Sequence, residues 1–194
     1  MEKPLTGHIR PGGEPLSLAD FERVGGYASV RKALKTMAPE EVTRVVSNSG
    51  LRGRGGAGFL AGMKWSFVPM GKDAPRPKYL VCNADEMEPG TFKDRYLMEG
   101  NPHQLVEALI VSAYAIGAEV AFIFLRAEYA LSRRRLERAL AEARAGGYLG
   151  PNILGSGFAL EVRIHTSAGR YICGEETALL NALEGRRAIP RAKP

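Results

Sequence analysis

The chain has 194 residues, 45% hydrophobic and 25% charged, a balance that supports a packed core and excludes a disordered or low-complexity protein. Its formal charge of +6 and pI near 9.5 favour anionic partners, whether nucleic acid, phosphate-bearing cofactors or an acidic subunit. No apolar run approaches the ~18 residues of a membrane span, and the two cysteines, Cys82 and Cys173, form no CxxC pattern and read as reduced, packed thiols of a cytosolic protein.

Residues 1–20 are rich in Gly and Pro, lack the apolar stretch of a secretory signal, and are expected to form an irregular arm. A helical segment is expected over 21–50. It holds a short helix over 27–36 and a second over 38–50, with Pro39 in the first turn, Glu40 and Glu41 against the helix dipole, and Gly50 as the stop. The stretch "GLRGRGGAGF" (50–59) follows, and "FLAGMKWSF" after it shows no clear helical period.

From residue 78 the pattern alternates. "KYLVC" (78–82) reads as a short strand, and "PHQLVEALIVSAYAIG" (102–117) as a helix buried against a sheet. "VAFIFL" (120–125) has the continuous apolar character of a strand covered on both faces. The clearest helix spans 129–147, with Leu136, Leu140 and Ala143 as its apolar stripe and Arg138–Glu142 as an i,i+4 pair. The arginines at 133–135 read as its solvated face. "ALEVRIH" (159–165) alternates as a strand and "GEETALLNALEG" (174–185) as a last helix. Strands alternating with helices predict a Rossmann-like α/β domain over 51–194, a mainly parallel sheet flanked by helices and preceded by the short helical region.

Ligands of such sheets bind beyond the carboxyl ends of the strands. Two of those ends carry dense chemistry. In "CNADEMEPGTFKDR" (82–95), Asn83, Asp85, Glu86 and Glu88 crowd the turn after the first strand. In "TSAGRYICGEETA" (166–178), Tyr171, Gly174, Glu175 and Glu176 open a helix. The two glutamates also suit a helix N-terminus for purely structural reasons. His8, His103 and His165 are scattered and read as structural, and no Ser/His/Asp or Cys/His pattern points to a nucleophile.

The glycine stretch contains Gly53-Arg54-Gly55-Gly56-Ala57-Gly58, a formal GxGxxG. A dinucleotide fingerprint needs a strand before it and a helix after it; here a helix precedes. An RGG-type RNA segment is repeated and disordered, and this copy is single. Bare backbone amides flanked by Phe59, Phe67 and Lys64 suit a flavin or nucleotide better.

The motifs "GLRGRGGAGF…GMKWSF", "CNADEMEPGTFKDR" and "GRYICGEETALLNALEGRR" together resemble the FMN- and NADH-binding 51-kilodalton flavoprotein subunit of respiratory complex I, from about residue 20 to the end. The diaphorase subunits of NAD-linked hydrogenases and formate dehydrogenases share this module and are the nearer alternative; a non-catalytic nucleotide- or RNA-binding module is the distant one.

The resemblance implies roles residue by residue. Gly53, Gly55, Gly56 and Gly58, with Arg54 beside them, would lie against flavin and nucleotide. Lys64 would contact FMN, and Phe59 and Phe67 would stack on the NADH adenine. Asn83, Asp85 and Glu86 would contact FMN, while Glu88 would reach the nicotinamide nucleotide. Tyr171, Gly174, Glu175 and Glu176 would complete the wall, Glu176 toward NADH.

The resemblance also implies that hydride goes to FMN, with no catalytic side chain and no metal ligand in these residues. An Asn-Asn-Thr segment, a ubiquitin-like domain and a helical bundle with a 4Fe–4S cluster are expected either in a longer chain beyond Pro194 or in a second chain that supplies them. The implied partners are a 2Fe–2S thioredoxin-like protein and other components of the peripheral arm, with no nucleic acid. The implied location is the inner face of a bacterial plasma membrane, reached through the complex without insertion.

Overall fold

A computed structural model describes residues 3–193. Four helices precede the sheet: α1 (Leu18–Arg23), α2 (Ala28–Thr36), α3 (Pro39–Asn48) and α4 (Ala61–Ser66). The expectation of no helix after the glycine stretch is corrected by α4. Its helical character comes from packing against α3 rather than from periodicity. At Gly62 an added Cβ would meet Ser47 Oγ at 2.3 Å, so only glycine lets the two backbones approach so closely.

Three parallel strands follow in the order β1 (Tyr79–Ala84), β2 (Val120–Leu125) and β3 (Glu161–Thr166). They pair without bulges, so that Ala84, Leu125 and Thr166 end level. Between β1 and β2 lie α5 (Lys93–Gly100) and α6 (Pro102–Ile116); α7 (Ala130–Ala145) joins β2 to β3. After β3 a 3₁₀ turn (Tyr171–Gly174) leads into α8 (Glu176–Leu183).

The period of two along β2 divides the core. Ala121, Ile123 and Leu125 join the main cluster with Leu109, Ile110 and Leu136 of α6 and α7, while Phe124 faces Cys173 and Leu179 on the opposite side. Burial of both faces, expected for all of β2, holds only at its carboxyl end. Val120 and Phe122, on the same face as Phe124, are only half-buried. Leu136, Leu140 and Ala143 are buried and Arg138 donates to Glu142 at 2.7 Å, as the helical pattern predicts.

Two further expectations change. The sequence pattern does not reveal α5, since its eight residues have no strong apolar stripe and its amino end is held by a distant side chain, Glu86. Arg135 does not belong to a solvated face. Its side chain is 15% exposed, and its guanidinium donates to the Glu99 and Gly13 carbonyls, fastening the N-terminal arm to α5 and α7.

The helical region is locked to the α/β unit by a buried polar chain. Tyr27 is fully buried with φ +56, its ring stacked 4.0 Å from Tyr148 and its hydroxyl 2.9 Å from His103 Nδ1. His103 Nε2 lies 3.1 Å from Glu142, which also accepts from the Leu18 amide at 2.7 Å. Burial lowers the His103 pKa, so the ring is neutral near pH 7 and holds one proton. That proton faces the Glu142 carboxylate, leaving Nδ1 to accept from Tyr27. Tyr27→Phe keeps the stack but leaves Nδ1 buried without a donor. Urea unfolding is expected to show a loss of about 1–3 kcal/mol, the range for an unsatisfied buried acceptor.

Candidate functional site

The level carboxyl ends of the strands frame a cleft of about 520 Å³. β1 supplies Asn83 as part of the strand itself, one step earlier than the turn to which the sequence pattern assigns it. Its Oδ1 accepts from the Asp85 amide at 3.1 Å, and its Nδ2 donates to the Cys173 carbonyl at 3.1 Å. One amide side chain thus orients the turn after β1 and ties it to the turn after β3.

Asp85 is 8% exposed. Ser167, just past β3, donates to its Oδ1 at 2.8 Å, and the Ser167 amide is anchored on the Leu125 carbonyl at 2.7 Å. The chain leaving β3 therefore crosses the end of β2 to reach β1. The second oxygen, Oδ2, is buried with no hydrogen-bond partner among the described residues. Burial raises the Asp85 pKa, opposed in part by the Ser167 hydroxyl and the Arg126 guanidinium.

Glu86 faces the other way. It accepts from the amides of Asp94 and Arg95 at the start of α5, at 3.0 and 3.2 Å, and from the Tyr129 hydroxyl at 3.0 Å. A carboxylate at a helix N-terminus is favourable, and here it positions the cleft wall. Glu88 is exposed and accepts from the Tyr171 hydroxyl at 2.5 Å, closing the cleft between the two turns; this bond raises the Tyr171 pKa.

The glycine stretch is a pinched loop between α3 and α4. Arg52 and Leu60 form an antiparallel bridge, the Gly53 amide donates to the Phe59 carbonyl at 2.8 Å, and Arg52 reaches the Gly58 carbonyl at 2.9 Å. This rules out the strand–loop–helix context of a dinucleotide fingerprint. The loop tip, Arg54 to Gly56, lines the cleft opposite Asp85 and Tyr171.

Of the residues singled out from sequence, Arg54, Gly55, Gly56, Asn83, Asp85, Glu86, Glu88, Tyr171 and Gly174 meet in this cleft. Gly53, Gly58, Phe59, Lys64, Phe67, Glu175 and Glu176 do not line it. Phe59 and Phe67 stand beside it as an exposed pair, ring centroids 6.4 Å apart, and Lys64 is exposed on α4. Glu175 is spent as the cap of α8, accepting from the Ala178 amide at 2.8 Å and the Thr177 hydroxyl at 2.5 Å. Glu176 is exposed and pairs with Lys193.

Sequence reasoning missed Ser167, Thr91, Lys93 and Asp94. The last three lie inside the quoted "CNADEMEPGTFKDR"; the signal for Ser167 was its place directly after an alternating strand.

The cleft suits FMN. Its lining brings together Asp85, one of whose carboxylate oxygens has no partner among the described residues, the guanidinium of Arg54, the ammonium of Lys93 paired with Asp94, and glycines where a ligand can come close. A Cβ added at Gly55 or Gly174 would meet nothing within 4 Å, and neither has a positive φ. Nothing within the chain demands glycine at these two places, whereas a flat ligand lying against the backbone would.

The family described as the Nuo51 FMN-binding domain matches residues 46–194. One NADH-quinone oxidoreductase component, from Rhizobium meliloti, is 62% identical over 91% of this chain and 42% of its own length. Its counterpart in the Escherichia coli NADH-quinone oxidoreductase is 53% identical over 98% of this chain and 43% of its own length. Among solved structures, an NAD+-reducing NiFe-hydrogenase in the H2-reduced state aligns with TM-score 0.75 at 36% identity, covering 100% of this chain and 30% of the hydrogenase chain. The chain thus spans less than half the length of these curated relatives.

The raised pKa of Asp85 has a consequence for stability. The contribution of this group is complete below the ordinary Asp value of 3.8 and is lost as pH rises through the raised value. Asp85→Asn, which stays neutral, is expected to raise the thermal midpoint near pH 7 by an amount equivalent to about 1 kcal/mol. The gain should shrink toward zero near pH 3.5, which a melting series across pH measures.

Proposed function

Because this chain belongs to the Nuo51 FMN-binding domain family, we propose that it is the flavin-holding part of the flavoprotein component of an NADH:quinone oxidoreductase. When bound, FMN supplies the acceptor for a hydride from NADH and hands the electrons on singly. The observation that carries this reading is the cleft itself, where Asp85, with one carboxylate oxygen left without a partner among the described residues, meets Arg54 and the bare backbone of Gly55 and Gly56.

The chain's own residues do the positioning. Asp85 would offer its carboxylate to a ring N–H; Ser167 holds that carboxylate and Asn83 the backbone beneath it. The backbone of Gly55 and Gly56 would let FMN come close, and Arg54 and Lys93 would supply positive charge toward its phosphate. Glu88 and Tyr171 meet the nicotinamide end, and their mutual hydrogen bond fixes both before NADH arrives. Phe59 and Phe67, exposed and tilted toward each other, take the adenine between or against them. Alignment of this kind is worth roughly 7–11 kcal/mol of barrier, so a redox cofactor needs orientation from the protein rather than a nucleophile.

Electrons leave through groups that the rest of the assembly provides. Among the described residues no group of three or more His, Cys, Asp or Glu is arranged to hold a metal ion. The 4Fe–4S cluster is assigned to the remainder of the longer protein and the 2Fe–2S centre to a thioredoxin-like partner. No helix among the described residues is long and apolar enough to cross a membrane, and attachment to the inner face of a bacterial plasma membrane is assigned to neighbouring subunits. A hydrogenase diaphorase is the second reading, favoured by the aligned hydrogenase structure; the higher identity to quinone oxidoreductase components supports the first.

The full-length, FMN-loaded protein is expected to reduce ferricyanide with NADH; a loaded protein that transfers no electrons from NADH refutes the reading. Nucleotide choice gives a sharper test. Glu176 is exposed and the cap of α8 belongs to Glu175, so Glu176→Ala leaves the helix capped. If Glu176 rejects the extra phosphate of NADPH, the variant shifts the ratio of the two kcat/KM values toward NADPH by on the order of tenfold or more. An unchanged ratio removes Glu176 from cofactor discrimination.

A further inference from the structure

A second cavity, of about 440 Å³, opens at the carboxyl ends of β2 and β3. Its wall includes the buried Phe124 ring, on which His165 stacks 5.4 Å away at 9°. Its charged lining is Arg170, Arg186 and Arg187, and no carboxylate lines it. The carboxylate close in sequence, Glu184, is engaged by both terminal nitrogens of Arg191 at 2.7 Å and stands 3.6 Å from Arg186. Arg170 and Arg187 are exposed, and among the described residues no side chain pairs with either.

Arginines gathered at one cavity, only one of them beside a carboxylate, favour an anion there. Guanidinium is weakly hydrated and its planar fork matches phosphate oxygens two at a time. The volume lies in the small-molecule range, and the carboxyl ends of parallel strands are where α/β sheets hold ligands. A concave site of this size lined by side chains from β3, the following turn and the end of α8 favours a small anion over an acidic polypeptide, which needs a longer surface.

The cavity shares a wall with the cleft. Ser167 lines it and donates to Asp85 of the cleft. Within one 3₁₀ turn and its flank, Arg170 and Cys173 face this cavity while Tyr171 and Gly174 face the cleft. We propose that the cavity is a site for a small phosphorylated anion, no larger than a nucleoside monophosphate, whose occupancy is transmitted to the cleft through the 167–174 segment. The transmission half of this proposal rests on the cleft being the FMN and NADH site; the binding half does not.

The test uses the full-length protein, loaded with FMN and saturated with NAD+ so that the cleft is blocked, and inorganic pyrophosphate as the probe at low ionic strength. Calorimetric titration of wild type is expected to show saturable binding that is at least tenfold weaker in Arg170→Gln/Arg187→Gln. Pyrophosphate is also expected to change the KM for NADH at least twofold in wild type and not in the double variant.

Equal binding by the two proteins, absence of binding by wild type, or competition with NAD+ overturns the site. Wild type that binds no pyrophosphate, together with a double variant that melts lower without any added anion, assigns the arginines to an acidic segment of protein and equally overturns it. If the protein holds no FMN, the reading of the cleft fails with the transmission, and the same titration of flavin-free protein still decides the binding half.

Discussion

The hydrogen bond from Ser167 to Asp85 joins two strand ends that the sheet itself keeps apart. β1 and β3 are separated by β2, so their carboxyl-terminal turns begin two strand spacings from each other, roughly 10 Å. The Ser167 amide rests on the last carbonyl of β2 and its hydroxyl reaches Asp85 beyond β1. From that tie follow the approach of the 3₁₀ turn to Asn83 and the contact of Tyr171 with Glu88. The cleft is assembled around one carboxylate, one of whose oxygens is held by protein while the other is left without a partner.

Leaving a buried acceptor unpaired is unfavourable, and a fold maintains it only where the surroundings are more strongly determined. Those surroundings are visible here. Glu86, next in sequence, takes two backbone amides of α5 and a tyrosine hydroxyl, so the turn cannot rotate to pair Asp85 elsewhere without uncapping a helix. The carbonyl of Glu86 is gripped by Arg126 at 2.6 Å, just beyond β2. Adjacent carboxylates in one motif thus differ: Glu86 is fully engaged in holding structure, and Asp85 keeps one oxygen without a partner among the described residues.

The N-terminal helices bear on the site indirectly. The chain from Tyr27 through His103 to Glu142 fixes them on α6 and α7, and α3 in turn presents the glycine loop through its close packing with α4. The loop is pinned at its base by the Arg52–Leu60 bridge and bare at its tip. A tip without side chains on a fixed base allows close approach of a ligand while limiting the entropy lost on binding.

Much of this was legible in the residues. The run of β2 and the stripe of α7 are local periodicities, and a chain's burial pattern follows from them directly. The parallel sheet followed from the alternation of elements, and the chemistry of the cleft from polar residues crowded just past apolar strands. The glycine-rich loop also pointed to close approach of a ligand to bare backbone; that no turn demands glycine at 55 and 174 is visible only in the structure. What local pattern leaves open is direction. Glu86 and Asp85 are neighbours of the same chemical type, and only the position of α5 and Ser167 decides which carboxylate turns inward.

The same holds for Glu175 and Glu176, of which one caps α8 and the other stands in solvent beside Lys193, and for Arg135, whose place in a charged run hid its burial against Glu99 and Gly13. α4 and α5 are helices whose ends are supplied by residues distant in sequence or packed from another helix. Identity, order and spacing of residues therefore determined the fold class and the list of groups available. Which of those groups met, and which way each faced, depended on contacts between strand ends far apart in the chain, and these exist only once the sheet has formed.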